Sequence, residues 1–161
     1  ERRQYRGLTD VLTPEEFVTK TMETMASLKP HDDIIEALEL LKSSQFKTVA
    51  FSNSSHQLIN KQITNAGLID HFDQIISVEG SQSFKPHPKV YHYAAETLAE
   101  KIEDLTLVAC HDWDTHGAIS AGMKAAYLKR TPAPYNPLFK SPAIHGDTMI
   151  DVARQLIGNP S

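Results

Sequence analysis

At 161 residues the chain is long enough for one domain with a sizeable core, and too short for two ordinary domains to be expected. Hydrophobic residues make up 40% and charged residues 22%, a balance that excludes a wholly disordered or fibrous chain. The formal net charge is −4 and the 16 Lys and Arg residues are scattered, so the basic stripe that nucleic-acid binding requires is missing.

Cys110 is the only cysteine, which rules out an internal disulfide and points to a reducing compartment, most simply the cytoplasm. No apolar run approaches the roughly eighteen residues of a membrane span, and Glu1-Arg2-Arg3-Gln4-Tyr5-Arg6 lacks the apolar stretch of a signal peptide. The chain does not begin with Met, so its true start is expected upstream.

In chain order, Thr13-Pro14-Glu15-Glu16 combines a capping hydroxyl, a Pro at the first helical position and a Glu three residues after the cap. A helix is expected from there to about Leu28. Pro30-His31-Asp32-Asp33 opens a second, with Ile34, Ile35, Leu38 and Leu41 at helical spacing and Lys42 near its end. Lys47 to Phe51 reads as a strand, Ser52-Asn53-Ser54-Ser55 as a polar loop, and Leu58, Ile59 and Ile63 as a helix that stops at Gly67.

The unit then repeats. Strands are expected at Gln74–Val78, Leu105–Cys110 and Ala125–Leu128, and helices at Pro88 to about Glu100 and Trp113–Ala121. Thr131 to Pro142 holds several prolines and reads as an irregular surface loop before a closing helix from about Asp147 to Leu156. Such alternation predicts an α/β fold with a parallel sheet.

In an open parallel sheet, ligands bind beyond the carboxyl ends of the strands, where helix N-termini and free N–H groups converge. Three strand ends therefore carry the candidates. Ser52 and Asn53 present a hydroxyl and an amide that suit an anion, although plain helix capping explains the same residues. Lys85, in Phe84-Lys85-Pro86-His87-Pro88, lies in a loop stiffened by two prolines, where a lysine can neutralise both a carboxylate nucleophile and an anionic substrate. Most loop lysines are merely solvated. The third end, Cys110-His111-Asp112-Trp113-Asp114-Thr115-His116-Gly117, is a site or simply an acid-rich helix start.

Two other chemistries are weighed at that third end. Zinc at His111, Asp112, Asp114 and His116 is disfavoured because the histidines stand five apart, not i and i+4. Cys110 as a nucleophile activated by His111 is disfavoured because neighbours on a strand point to opposite faces, so a buried, inert thiol is expected.

In this order the three elements resemble motifs two, three and four of the haloacid dehalogenase-like superfamily, from about Pro30 to the end of the chain, and most closely the 2-haloacid dehalogenase branch. Ser52, Lys85, Tyr91 and Asp114 reproduce that branch's intervals without a gap. Ala66-Gly67-Leu68, Phe72-Asp73, Ile76-Ser77-Val78, Gly117-Ala118 and Asn136-Pro137-Leu138 support the match.

The resemblance implies a three-layer, Rossmann-like core over residues 31–161 and a remnant of a helical cap over residues 1–30. It implies that Ser52 and Asn53 bind a substrate carboxylate and that Lys85 pairs with the nucleophile. Tyr91 would orient the site, Asp114 would position Lys85 and help activate water, and Trp113 would line the pocket beside His111. The implied reaction is hydrolysis of a small, anionic 2-haloacid through an aspartyl ester, without cofactor or metal. Neither nucleic acid nor membrane is an expected partner, and a homodimer is an open expectation.

There are departures from the family's pattern. Ala109 stands where a motif-four Ser is usual, and His111 where an Asn is usual. Cys110 replaces the acid that Mg²⁺-dependent phosphatases of the superfamily carry, although Asp112 offers a substitute and keeps a phosphatase in view. No strand ending in a nucleophilic Asp precedes Thr48; Asp10 is a poor match, because Tyr5-Arg6-Gly7-Leu8-Thr9 is not a buried strand. Arg2, Arg3 and Arg6 are candidates for a cap arginine. The chain by itself is therefore expected to be inactive, with a non-catalytic remnant of the fold as a further alternative, and the resemblance implies a gap in the middle of its sheet that another chain, the N-terminal segment or further residues should fill.

Overall fold

The computed structural model describes residues 12–158; the candidates Arg2, Arg3, Arg6 and Asp10 lie outside them. Thr13 and Glu16 form the expected reciprocal cap: Thr13 Oγ1 accepts from the Glu16 N–H at 3.2 Å, and Glu16 Oε2 accepts from the Thr13 N–H at 2.8 Å. The helix they start, α1, covers Pro14–Ala26. It is tied to the rest of the chain by the Asn65 amide, which donates to the Ala26 carbonyl at 2.8 Å, and its apolar residues Phe17, Val18 and Met22 are exposed.

The second helix, α2 (Ile34–Lys42), begins where expected, but Asp33 does not cap it. Asp33 instead accepts from Arg130 Nη2 at 2.7 Å and from the Met149 N–H at 2.6 Å, clamping the far end of the chain. The alternating units follow as β1 (Val49–Ser52), α3 (His56–Asn65), β2 (Gln74–Ser77), α4 (Pro88–Leu98), β3 (Thr106–Ala109), α5 (Asp112–Ser120) and β4 (Lys124–Leu128). Val78 does not extend β2: the Ser77 hydroxyl accepts from the Glu79 N–H and starts a 3-10 turn over Val78–Ser81.

The closing helix α6 (Met149–Gly158) is preceded by a strand absent from the sequence reading, β5 (Ile144–Gly146). Its three residues are too few to display a periodicity, and pairing with β4 defines it. All strand pairs are parallel.

Alternation along β4 builds the layers. Ala126 and Leu128 pack with Ala37 and Leu41 of α2 and with Val152, Ala153 and Leu156 of α6. Ala125 joins Leu107, Tyr91 of α4 and Ala118 of α5 in a second cluster. The strands are thus sandwiched between helices in the three-layer α/β arrangement. No helix among the described residues is long and apolar enough to cross a membrane.

The described strands nevertheless form two sheets, β1-β2 and β3-β4-β5, rather than one. Within these sheets β1 pairs only with β2 and β3 only with β4, so each keeps an open hydrogen-bonding edge.

Candidate active site

Between the sheets lies a cavity of about 920 Å³, walled by Val49–Phe51 of β1 and Thr106–Ala109 of β3. Leu38, Leu41 and Leu156 close it on the side of α2 and α6, and Ala94 and Leu98 of α4 also line it. Lys85, His111 and Asp114 line it as well. Both β1 and β3 run towards these three residues, so the polar groups stand at the carboxyl ends of the strands.

The centre of the site is an ion pair. Lys85 Nζ lies 3.2 Å from Asp114 Oδ2, and the two side chains are only 7% and 8% exposed. The same ammonium donates to the Phe51 carbonyl at 3.0 Å and sits 4.5 Å from the centroid of the Phe51 ring. The Lys85–Pro86 peptide bond is cis.

Two neighbours hold the pair. Asn53 binds the Lys85 main chain on both sides: Oδ1 accepts from the Lys85 N–H at 2.9 Å, and Nδ2 donates to the Lys85 carbonyl at 3.4 Å. The Tyr91 hydroxyl, fully buried, donates to Asp114 Oδ1 at 2.8 Å. Burial and then the Asp114 carboxylate push the Tyr91 phenol well above the ordinary tyrosine range, so it serves as a donor.

Gly117 permits this contact. A Cβ there would stand 2.6 Å from the Tyr91 hydroxyl and 2.7 Å from Pro86 Cβ, so only a hydrogen at that position lets α5 approach the lysine loop.

The other candidates are placed less centrally. Ser52 Oγ accepts from the Ser54 N–H at 3.0 Å in a local turn, while Ser55 caps α3. Ser52, Asn53, Tyr91 and Trp113 do not line the cavity. His111 is exposed, with its ring 5.3 Å from that of Trp113.

One sequence reading needs correction. Cys110 is half-buried rather than buried, and its Sγ lies 3.6 Å from His111 Nδ1. Strand alternation does not separate them because β3 ends at Ala109.

Asp112 Oδ1 accepts from the Trp113 N–H at 2.8 Å and its Oδ2 from the Asn136 N–H at 3.2 Å, so both oxygens are engaged with backbone. His116 accepts from the Lys140 N–H at 2.9 Å and stacks on Phe139, and among the described residues no three His, Cys, Asp or Glu side chains are grouped to hold a metal ion.

The sequence reading also missed Phe51 as a site residue, because its contribution is a carbonyl and a ring face, and it missed Tyr135. The Tyr135 hydroxyl lies 2.9 Å from Thr115 Oγ1 and donates to the Lys140 carbonyl at 2.8 Å, which fastens the proline-rich loop onto α5. Neither role leaves a local signal in the sequence.

With this geometry the chain can be compared with known proteins. A family model described as haloacid dehalogenase-like hydrolase matches residues 3–128. The chain belongs to that family.

Among haloacid dehalogenase-like proteins, the (S)-2-haloacid dehalogenase H-109 of Pseudomonas putida is 32% identical over 130 residues, which are 81% of this chain and 58% of that protein. The chain thus spans little more than half the length of this relative. An L-2-haloacid dehalogenase from Xanthobacter autotrophicus, solved with chloropropionic acid covalently bound, superposes with a TM-score of 0.84 at 24% identity, over 92% of this chain and 69% of that one. A phosphatase of the same superfamily from Thermococcus onnurineus superposes with a TM-score of 0.73 at 23% identity, over 94% of this chain and 67% of that one. The two superpositions establish a common fold and leave the chemistry to the site.

Proposed function

We propose that this chain carries the lysine side of a 2-haloacid dehalogenase site. The supporting observation is the Lys85–Asp114 pair, held at the carboxyl ends of β1 and β3, with Cys110 where a metal-dependent relative would need an acid. A buried cation in that place offsets the charge of an attacking carboxylate and of an anionic substrate, which is the service Mg²⁺ performs in phosphoryl transfer.

In this reading a carboxylate supplied from outside the described residues attacks C2 of a small 2-haloacid. The carbon–halogen bond breaks, halide leaves with its electron pair, and an ester links substrate to protein. Water then adds to the ester carbonyl, Asp114 helps take its proton, and the 2-hydroxyacid departs as the carboxylate is restored. Lys85 screens the nucleophile, Asp114 positions Lys85, and Tyr91 orients Asp114.

Ser52 receives the substrate carboxylate beside Asn53, whose amide holds the lysine loop in place, with His111 at the pocket wall and Trp113 packed against His111. No cofactor or metal takes part. Residues 1–30 are read as cap and 31–161 as core, the setting is cytoplasmic, and a homodimer is compatible with the exposed face of α1.

The test uses a longer protein in which a strand bearing an aspartate precedes this chain. Halide and phosphate release are measured side by side, with Mg²⁺ and with EDTA. Chloride release from 2-chloropropionate in EDTA, nearly abolished by Lys85→Ala, is expected. Phosphate release that needs Mg²⁺, without halide release, would replace this reading with a phosphatase; neither activity would favour a non-catalytic fold.

A further inference from the structure

A second cavity, of about 470 Å³, opens at the carboxyl ends of β4 and β5, beyond β3 in the order of the sheet, and neither Lys85 nor Asp114 lines it. Its volume lies in the range of small-molecule sites. Lys129 directly follows β4, and its N–H donates to the Gly146 carbonyl at 2.9 Å, which joins the two strand ends. From α6 come Asp151, Arg154 and Gln155, at i, i+3 and i+4 and so on one face of the helix, and Asp147 stands just before that helix.

The fold uses these groups unequally. Asp151 Oδ2 accepts from the Thr148 N–H at 3.1 Å and from the Thr148 hydroxyl at 2.7 Å, so this carboxylate is committed to the first turn of α6, where the helix end offsets its charge. Gln155 Nε2 donates to the His145 carbonyl at 2.7 Å, and His145 Nε2 lies 3.0 Å from the Pro142 carbonyl, so both residues are spent on holding the wall. Lys129, Arg154 and Asp147 remain, and none of them forms an ion pair or a side-chain hydrogen bond with a described residue.

Two free cations and one free acid on a single cavity are complemented by a small monoanion that also brings a hydrogen-bond donor. A carboxylate satisfies the cations, the guanidinium fork of Arg154 being shaped for it, and a neighbouring hydroxyl or ammonium satisfies Asp147. We propose that this cavity is a second ligand site, separate from the Lys85–Asp114 pair, for small carboxylic acids that carry such a donor, either 2-hydroxy acids or 2-amino acids. A 2-haloacid has the carboxylate without the donor and is discriminated against.

The experiment follows the backbone amide signals of the isotope-labelled 161-residue chain by NMR during titration with lactate, alanine, propionate and 2-chloropropionate, at fixed pH and with chloride holding the ionic strength constant. Lactate or alanine should give saturable shifts at Lys129, Gly146 and Arg154, with a Kd on the order of millimolar, as befits so small a ligand. Propionate and 2-chloropropionate should bind roughly fivefold more weakly or worse. Arg154→Gln should weaken lactate and propionate alike, by roughly tenfold. Asp147→Ala should remove the advantage of the donor-bearing acid without weakening propionate. Both positions are exposed, and an unchanged midpoint of thermal unfolding confirms that the variants are folded.

A response to lactate alone assigns the site to hydroxy acids and a response to alanine alone to amino acids; either supports the proposal. Shifts confined to Lys85 and Asp114, propionate binding as tightly as both lactate and alanine, or affinities untouched by Arg154→Gln would overturn it, as would the absence of any saturable shift. Halide release plays no part in the measurement, so its outcome and that of the dehalogenase reading are decided separately.

Discussion

Lys85 and Asp114 bridge two sheets that share no hydrogen bond of their own: the lysine is anchored to the Phe51 carbonyl at the end of β1, and the aspartate belongs to α5, which follows β3. Both side chains are nearly buried, so the pair behaves as an interior one. Removing one partner leaves the other charge without compensation, whereas removing both does not.

Lys85→Met should therefore lower stability by about 3–5 kcal/mol, and Lys85→Met with Asp114→Leu should cost less than the single change. Urea unfolding of the two variants and the native chain checks this. A double variant less stable than Lys85→Met would show that the pair itself is net stabilising.

Gly117→Ala sets two effects against each other. In a free helix alanine would gain about 1 kcal/mol over glycine. Here its methyl would meet the Tyr91 hydroxyl and Pro86 at less than 3 Å, with the Pro86 carbonyl 3.1 Å away, and Tyr91 cannot withdraw without losing Asp114. Overpacking of this kind costs about 1–3 kcal/mol, so a net loss is expected, read as a lower midpoint of thermal unfolding.

Tyr91 should make the fold sensitive to alkali. Its folded-state pKa is raised above the ordinary value of 10, so the native state holds the proton more tightly than the unfolded chain does. That contribution is complete below about pH 10 and is lost as the pH rises further. Tyr91→Phe should reduce the decline in stability above pH 10, leaving the part due to Tyr127, whose pKa burial also raises. An unchanged decline in urea titrations at pH 9 to 11 would contradict this.

Asp33 gives the opposite dependence. Hydrogen bonding to Arg130 lowers its pKa from the ordinary 3.8, overcoming the penalty of burial, so its stabilisation is present above about pH 4 and is lost as the pH falls through the folded-state value. Asp33→Asn should cost about 1–3 kcal/mol at pH 7 through the weakened clamp on Arg130 and Met149. The difference from the native chain should shrink below pH 4, as measured by denaturant titration at both pH values.

Much of this architecture could be read locally. Thr13, Pro14 and Glu16 announce α1, Pro88 starts α4, and Gly67, at a φ of 70°, ends α3. The intervals between Ser52, Lys85, Tyr91 and Asp114 pointed to the family that the comparisons then established. These signals are legible because capping, proline geometry and motif spacing act over a few residues or along one chain direction.

Tertiary structure alone decided the rest. Whether Asn53 meets substrate or grips the Lys85 backbone depends on a contact 32 residues away, and whether Asp33 caps its own helix or α6 depends on one 116 residues away. The strand β5 exists through its pairing with β4, and the contact of Cys110 with His111 through the point at which β3 stops. Sequence patterns specify which groups are available and which face of an element they occupy. Which of several competent partners a polar group takes is settled only when packing brings them within hydrogen-bond reach, because a buried donor or acceptor must satisfy itself with whatever the fold places beside it.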